Sequence, residues 1–368
     1  MINQKKKFNV IGMMSGTSMD GINASMVETD GNYLKRLDIN YISRYKPRTR
    51  TLLKKALIDY KILLKDKDFK EEISYMITLD HFEAAKKLIN KTSFIPDLVG
   101  FHGQTIYHNS SQGVSIQLGQ SQLLSNLLSI TVVSNFRDND ILFGGEGAPL
   151  APIYHKFLMN ELKLSLPTIF LNIGGVSNIT YWDGETLIGF DTGPGNGLMD
   201  MFMQKTFNKD FDEDGNLASK GKFNNDILRF FQNHSYFKKK FPKSLDRSEF
   251  KDTLKMVYEL KLPPCDAMAT LAECTITSII QSIKLLPTKP KNFIIMGGGV
   301  KNLYLLKRLK QIKKINVFTA KEKSLPGDFI ESELIAYLTA RHIKDLPITF
   351  PETTGVREKI CGGKSFFK

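Results

Sequence analysis

Two stretches of this chain carry the same succession of local signals, and that duplication restricts the available folds more than any other feature. The first begins with an apolar strand, Phe8-Asn-Val-Ile-Gly-Met-Met14, then a turn of small residues, Ser15-Gly-Thr-Ser-Met-Asp-Gly21, and a strand from Ile22 to Glu28. The hairpin signal Asp30-Gly31 leads to a third strand, Leu37 to Ser43. The second stretch repeats the order: strand Thr168–Ile173, turn Gly174–Ser177, strand Asn178–Trp182, Asp183-Gly184, strand Glu185–Phe190. Later parts also match. Glu71 to Lys91 carries Ile73, Met76, Ile77, Ala84, Ala85, Leu88 and Ile89 at helical spacing, before Pro96, a strand Asp97–Phe101 and His102-Gly103. A comparable helix, Ala267–Leu286, precedes Pro290, a strand Asn292–Met296 and Gly297-Gly298-Gly299. Each half reads as a β-meander, a helix, and a strand with glycine at its carboxyl end. This is an α/β pattern, and ligands in open α/β sheets bind outside those ends. Two such halves facing each other would form a cleft with glycine turns on both walls.

The 368 residues, 42% of them apolar, suit two domains that need no disulfide or metal staple. No apolar run approaches the ~18 residues of a membrane-spanning helix, and Met1–Phe8 is too short for a signal peptide. Three cysteines without a CxxC pair point to a reducing cytoplasm. The net charge of +13 comes from scattered lysines and short runs such as Lys5–Lys7, Lys238–Lys240 and Lys307–Lys314. No nucleic-acid-binding motif accompanies them, so the expectation is a solvated lysine-rich surface without a nucleic-acid partner. Positive potential would also welcome an anionic small molecule such as a nucleotide.

Glycines and hydroxyls in Ser15–Gly21 allow close backbone approach and donation to phosphate oxygens. Asp20 is a candidate carboxylate for a hydrated Mg2+. The alternative for this turn alone is an ordinary polar hairpin. Together with Gly174-Gly175 and Gly297–Gly299, it favours a nucleotide held between two lobes. Gly363-Lys364-Ser365 is not a P-loop, because Glu358 stands where that motif starts with glycine. Gly193–Gly197 does not match GxGxxG either. In Gly189-Phe-Asp-Thr-Gly-Pro-Gly-Asn-Gly197 an apolar strand ends at Asp191, a candidate general base, with Asn196 able to bond a substrate. The competing reading is a turn in which Asp191 caps backbone N–H groups. His102, Gln104 and Arg137 follow apolar strands and can grip a hydroxylated or carboxylated ligand, an Arg fork suiting a carboxylate. A structural histidine is the alternative for His102. Glu146 lies in the loop Gly144–Leu150, and the six histidines lack HExxH spacing, which argues against protein-held zinc.

Gly12–Asn23, Phe101–Thr105, Phe136–Pro152, Leu171–Asn178, Gly189–Asp200, Pro242–Arg247, Asp266–Glu273, Gly297–Asn302 and Gly327–Glu331 together resemble one family, the anhydro-N-acetylmuramic acid kinases of bacterial cell-wall recycling. The resemblance implies two duplicated ribonuclease-H-like lobes of the acetate and sugar kinase/actin-like fold with an interlobe cleft. It places the first lobe at 1–135 with 350–368 and the second at 136–349. It implies conversion of ATP, water and 1,6-anhydro-N-acetylmuramate to N-acetylmuramate 6-phosphate and ADP, with Asp191 taking the proton from water. It also implies ATP contacts from Gly16, Thr17, Ser18, Met19, Asp20, Gly21, Ile22 and Asn23, and from Gly174, Gly175, Gly297, Gly298, Gly299, Asn302 and Glu331. His102, Gln104, Arg137, Glu146 and Asn196 would serve the sugar, and Asp20 would face Mg2+. A cytoplasmic homodimer is implied as well. Asn23 stands where the family usually has Asp and Glu146 where Gln is frequent; Cys361–Lys368 matches weakly.

Two other classes share parts of this pattern. A binding-type ATPase of the actin or heat-shock class would use the nucleotide turns without needing Asp191 beside a sugar, and no peptide-binding domain follows. A glycoside hydrolase pairing Asp191 with Glu146 would leave three glycine turns without a task. ATP-dependent turnover separates the three.

Overall fold

The computed structural model describes residues 6–16, 21–109, 112–245 and 249–368. The chain divides into two compact units, Met1–Phe157 with Asp328–Lys368, and Leu158–Gly327.

The first unit is built on β1 (Phe8–Ser15), β2 (Ile22–Thr29), β3 (Leu34–Ser43), β4 (Leu98–Asn109), β5 (Val114–Leu118), β6 (Thr131–Ser134) and, from the carboxyl end, β12 (Lys364–Phe366). β1, β2 and β3 form an antiparallel meander, β4 lies parallel to β1, and β6 lies parallel to β4. The second unit contains β7 (Thr168–Ile173), β8 (Val176–Trp182), β9 (Leu187–Pro194), β10 (Asn292–Met296) and β11 (Asn316–Thr319). It repeats the plan: an antiparallel meander β7–β8–β9, then β10 parallel to β7 and β11 parallel to β10. The duplication in the sequence is therefore a duplication of strand order. Even the hairpin turns agree. Asp30 Oδ1 accepts from the N–H groups of Asn32 and Tyr33, both at 2.8 Å. Asp183 Oδ1 accepts from Glu185 and Thr186 at 2.9 and 2.7 Å. An Asx turn of this kind substitutes a carboxylate for the backbone acceptor.

Strands with both faces covered carry near-continuous apolar runs, and β7 and β10 are buried along almost their whole length. In the second unit the helix Pro264–Ile283 packs against β9 and contributes Met268, Leu271, Ile276 and Ile279 to the core. In the first, the helix Lys67–Ile89 buries Ile73, Ile77, Ala84, Ala85 and Leu88 of the expected inward face, while Met76 and Ile89 are half-buried. The helix Ile330–Ile343 packs across β1, β2 and β4. It comes so close that a Cβ at Gly12 would lie 1.9 Å from Ser332 O, and one at Gly100 2.2 Å from Thr339 Oγ1.

That packing moves the expected unit boundaries from 135/136 and 349/350 to 157/158 and 327/328. Ile330–Ile343 has its apolar contacts in the first unit. Arg36 Nε donates to both oxygens of buried Glu333 at 2.9 and 3.0 Å, and Ser25 Oγ bonds Ser332 Oγ at 2.6 Å. Two strands also run further than expected. β4 continues through His102 to Asn109 and pairs with β5, and β9 continues through Asp191 to Pro194. Asp191 therefore lies within a strand and not at its end.

Gly12→Ala should lower stability by about 1–3 kcal/mol, the usual result of forcing a methyl into a filled contact. Urea unfolding followed by far-UV circular dichroism measures it; an unchanged midpoint would mean that the helix can step back from β1.

Candidate active site

Two pairs of strands carry an extra residue where the chemistry was expected. Between β1 and β4, Met13 opposes Phe101 and Ser15 opposes Gln104, so His102-Gly103 bulge out of register. Between β8 and β9, Ser177 opposes Gly193 and Asn178 opposes Asp191, leaving Thr192 unpaired. Bulges re-aim neighbouring side chains, and they do so here for His102 in one unit and Asp191 in the other.

In the first unit, His102 is buried and its Nδ1 lies 3.0 Å from Gly103 O. A carbonyl only accepts, so Nδ1 carries the proton and Nε2 presents its lone pair. Arg137 uses that lone pair, with Nε at 3.3 Å and Nη2 at 3.1 Å. Burial, followed by the Arg137 charge, pulls His102 down to about 3. The imidazole is neutral and orients Arg137. Arg137 Nη1 donates to Gly147 O at 2.7 Å. Burial lowers Arg137 to about 10, opposed by Asp140 and Glu331, so it remains a cation at neutral pH. One N–H on each terminal nitrogen is left over after these bonds, the pattern needed to fork a carboxylate.

The loop carrying Glu146 is organised by Asp140, which the sequence did not single out. Asp140 is buried; its Oδ1 accepts from Gly147 N at 2.6 Å and its Oδ2 from Thr354 Oγ1 at 2.6 Å. A Cβ at Gly145 would fall 2.2 Å from that carboxylate. Glu146 N–H donates to Thr354 O at 2.7 Å, which ties the loop to the carboxyl-terminal segment. The signal for Asp140 was its place four residues ahead of the glycine-rich loop.

Gln104 serves the loop after β1. Its Nε2 donates to Gly16 O at 3.1 Å and Thr105 O at 3.2 Å, and its Oε1 accepts from Tyr45 at 3.0 Å. Both amide hydrogens are engaged, so in this structure Gln104 braces Gly16 and has no donor left for a sugar. Thr17, Ser18, Met19 and Asp20 lie outside the described residues, while Gly21 and Ile22 open β2. Asn23 Nδ2 donates to Asp328 O at 2.6 Å, holding the turn before the helix that starts at Ile330. An ionised Asp at this position has no hydrogen to donate. Glu331 lies in the first turn of that helix and makes no hydrogen bond among the described residues. Desolvation raises its pKa, against the pull of Arg137.

In the second unit three glycine segments converge. Gly195 N–H and Gly197 N–H donate to Gly175 O, both at 3.0 Å, and Asn196 N–H donates to Gly174 O at 2.7 Å. A Cβ at Gly195 would lie 2.2 Å from Gly174 O, and one at Gly297, where φ is +82°, 2.7 Å from Ile173 O. Asn196 Nδ2 lies 3.7 Å from where a Cβ at Gly298 would stand, and a Cβ at Gly299 would strike Ile173. Among the glycines of these three segments, Gly175 alone has no atom within 4 Å of where a Cβ would stand. Asn302 caps the helix Leu303–Lys310 by accepting from Leu305 N at 3.1 Å, so its oxygen has a structural task. The chain beyond this turn lines a cavity of about 710 Å3 that includes Phe223, Leu303, Tyr304, Lys222 and Lys307.

Asp191 is half-buried and held on three sides. Its N–H donates to Lys243 O at 3.0 Å, its carbonyl accepts from Tyr236 OH at 2.5 Å, and its Oδ2 accepts from Leu245 N at 2.9 Å. Tyr236 and Lys243 carried no sequence-level role, although Lys243 fell within the Pro242–Arg247 segment. Asp191 accepts a backbone N–H, as the capping reading expected, two residues ahead of Gly193.

Two units of one strand order, each with glycines at strand ends, have the duplicated plan of the acetate and sugar kinase/actin-like fold. The family of anhydro-N-acetylmuramic acid kinases matches residues 8–368. An anhydro-N-acetylmuramic acid kinase of Rhodopseudomonas palustris (strain BisB18) is 39% identical over 96% of this chain and 98% of its own. Those of Bradyrhizobium diazoefficiens and Zymomonas mobilis are 38% and 36% identical, each over 96% of this chain and over 97% and 98% of their own. Among solved structures, a ROK family glucokinase from Streptomyces griseus is similar at a TM-score of 0.40 and 12% identity over 90% of this chain and 99% of that chain. The chain belongs to the anhydro-N-acetylmuramic acid kinase family and is a phosphotransferase. No helix among the described residues is long and apolar enough to cross a membrane.

The buried neutral histidines make a pH prediction. His81 is drawn down to about 4 and His102 to about 3, chiefly by burial. A depressed folded pKa gives stability that is complete above the unfolded value near 6.5 and is lost as pH falls toward the folded values. At pH 5 the loss is on the order of 1–2 kcal/mol per histidine. The urea midpoint should therefore drop between pH 7.5 and 5, and the drop should shrink in His81→Phe; an equal drop in that variant would put the titration elsewhere.

Proposed function

We propose that this protein opens the 1,6-anhydro ring of 1,6-anhydro-N-acetylmuramate with water and transfers the γ-phosphoryl group of ATP to O6, giving N-acetylmuramate 6-phosphate and ADP, in the recycling of peptidoglycan. The observation that carries this reading is the hold on Asp191, a carboxylate set by a bulge next to three converging glycine segments. Asp191 accepts a proton from water as the water oxygen bonds the anomeric carbon. The bond from that carbon to O6 breaks, and O6 takes the phosphoryl group as ADP leaves. Phosphoryl transfer asks mainly for positioning and charge stabilisation.

The first unit supplies the sugar-side cation. Arg137, aimed by neutral His102, suits the lactyl carboxylate of the muramic acid. The second unit supplies the nucleotide side: glycine turns for the phosphates, and Phe223 and Tyr304 with two lysines in a cavity suited to the base and ribose. No cluster of three His, Cys, Asp or Glu able to hold an ion by itself exists among the described residues. Mg2+ arriving with a triphosphate needs few protein carboxylates, and Glu331, without a hydrogen bond among the described residues, fits that need. When bound, Mg2+ would neutralise phosphate charge. Asp20 remains its second candidate, and a cytoplasmic homodimer belongs to the same proposal.

Incubation with 1,6-anhydro-N-acetylmuramate should give a phosphorylated, ring-opened product only with ATP present. In 18O-labelled water the label should enter the anomeric oxygen and not the transferred phosphate; label in the phosphate would mean that ATP is hydrolysed first. Asp191→Asn should fold, bind ATP and lose about 10²-fold or more in kcat, the scale of general-base catalysis. Near-normal turnover in that variant would remove Asp191 as the base.

A further inference from the structure

Lys243 is only 5% exposed, an uncommon state for a lysine without a carboxylate bonded to it. Its Nζ donates to Tyr236 O at 3.3 Å and lies 4.4 Å from the Tyr236 ring centroid and 5.6 Å from that of Phe190. Phe190 is the neighbour of Asp191 in β9. The same two residues, Lys243 and Tyr236, hold the Asp191 backbone: Lys243 O takes its N–H and Tyr236 OH donates to its carbonyl. The contacts close a ring from Asp191 to Lys243 to Tyr236 and back to Asp191.

Packing alone does not account for a lysine here. The stem lies among Phe190 and Tyr236, where methionine would fill similar space without the cost of desolvating an ammonium. Burial and the nearby Lys239 draw Lys243 down to about 8, and the Asp191 charge acts the other way, so the ammonium persists at neutral pH with Asp191 as its electrostatic partner. Tyr236 presents its ring to Lys239 as well, with Nζ 5.7 Å from the centroid.

We propose that Lys243 is a positioning residue for Asp191: together with Tyr236 it fixes the bulged strand that carries the carboxylate. The proposal rests on Asp191 being the base. Lys243 touches no reacting atom in this account and acts through Asp191 alone.

Steady-state kinetics of Lys243→Met in the full chain test it. We expect kcat to fall about tenfold or more while KM for sugar and for ATP stay within about twofold, the signature of a transition-state effect. The melting temperature should be unchanged or higher. In an Asp191→Asn background the same substitution should cost less than about twofold, because coupled groups are not additive. If Lys243→Met fails to fold, Tyr236→Phe keeps the ring and removes the hydroxyl that holds the Asp191 carbonyl, and it should show the same kcat loss at constant KM. Unchanged kcat, or an equal loss in both backgrounds, overturns the role of Lys243. Near-normal kcat in Asp191→Asn alone overturns the base assignment instead, so the two failures are told apart.

Discussion

Backbone packed directly on backbone is the constraint on which the rest of this molecule depends. At Gly12 a helix lies against the first strand with no room for a methyl group. At Gly195 and Gly297 the loops of the second unit rest on the carbonyls of Gly174 and Ile173. Within each unit these contacts hold strands, loops and helices at backbone distance. A side chain at any of them would push the elements apart by more than a hydrogen bond can stretch.

Bulges then do what glycine cannot. A strand that stayed in register would point His102 and Asp191 according to simple alternation. One extra residue in each strand breaks the alternation. The polar groups freed by each bulge are taken up nearby, by Gly103 and Arg137 in the first unit and by Tyr236, Lys243 and Leu245 in the second. Each side chain is thereby aimed by its neighbours and not by its own rotamer preference alone.

Charge is handled differently in the two units. In the first, burial strips His102 of its proton, so that Arg137 keeps its full positive charge and gains an acceptor to lean on. In the second, a buried ammonium donates to Tyr236 O among the rings of Tyr236 and Phe190. Asp140 and Asn23 hold the loops at Gly147 and Asp328 in the first unit.

The sequence by itself determined the succession of meander, helix and parallel-lying strand shared by both units, because apolar runs, Asp-Gly hairpins and glycine turns recur in the same succession, and each is a local property of the chain; where that last strand pairs, and the strands β5, β6, β11 and β12, came from the fold. It did not reveal that β4 and β9 run on past His102 and Asp191, since the residues that extend them are polar or glycine and pair only because a partner strand lies alongside. The unit boundary was hidden for a like reason: the helix Ile330–Ile343 looks alike wherever it packs, and only Gly12 and Gly100 opposite it decide the unit to which it belongs. Gln104 and Asn302 turned from ligand candidates into a loop brace and a helix cap once their partners came within reach. Lys243 emerged from an unremarked lysine in a lysine-rich chain. Burial, hydrogen-bond partners and distance from a carboxylate are properties of folded neighbours, and the tertiary structure alone decides them.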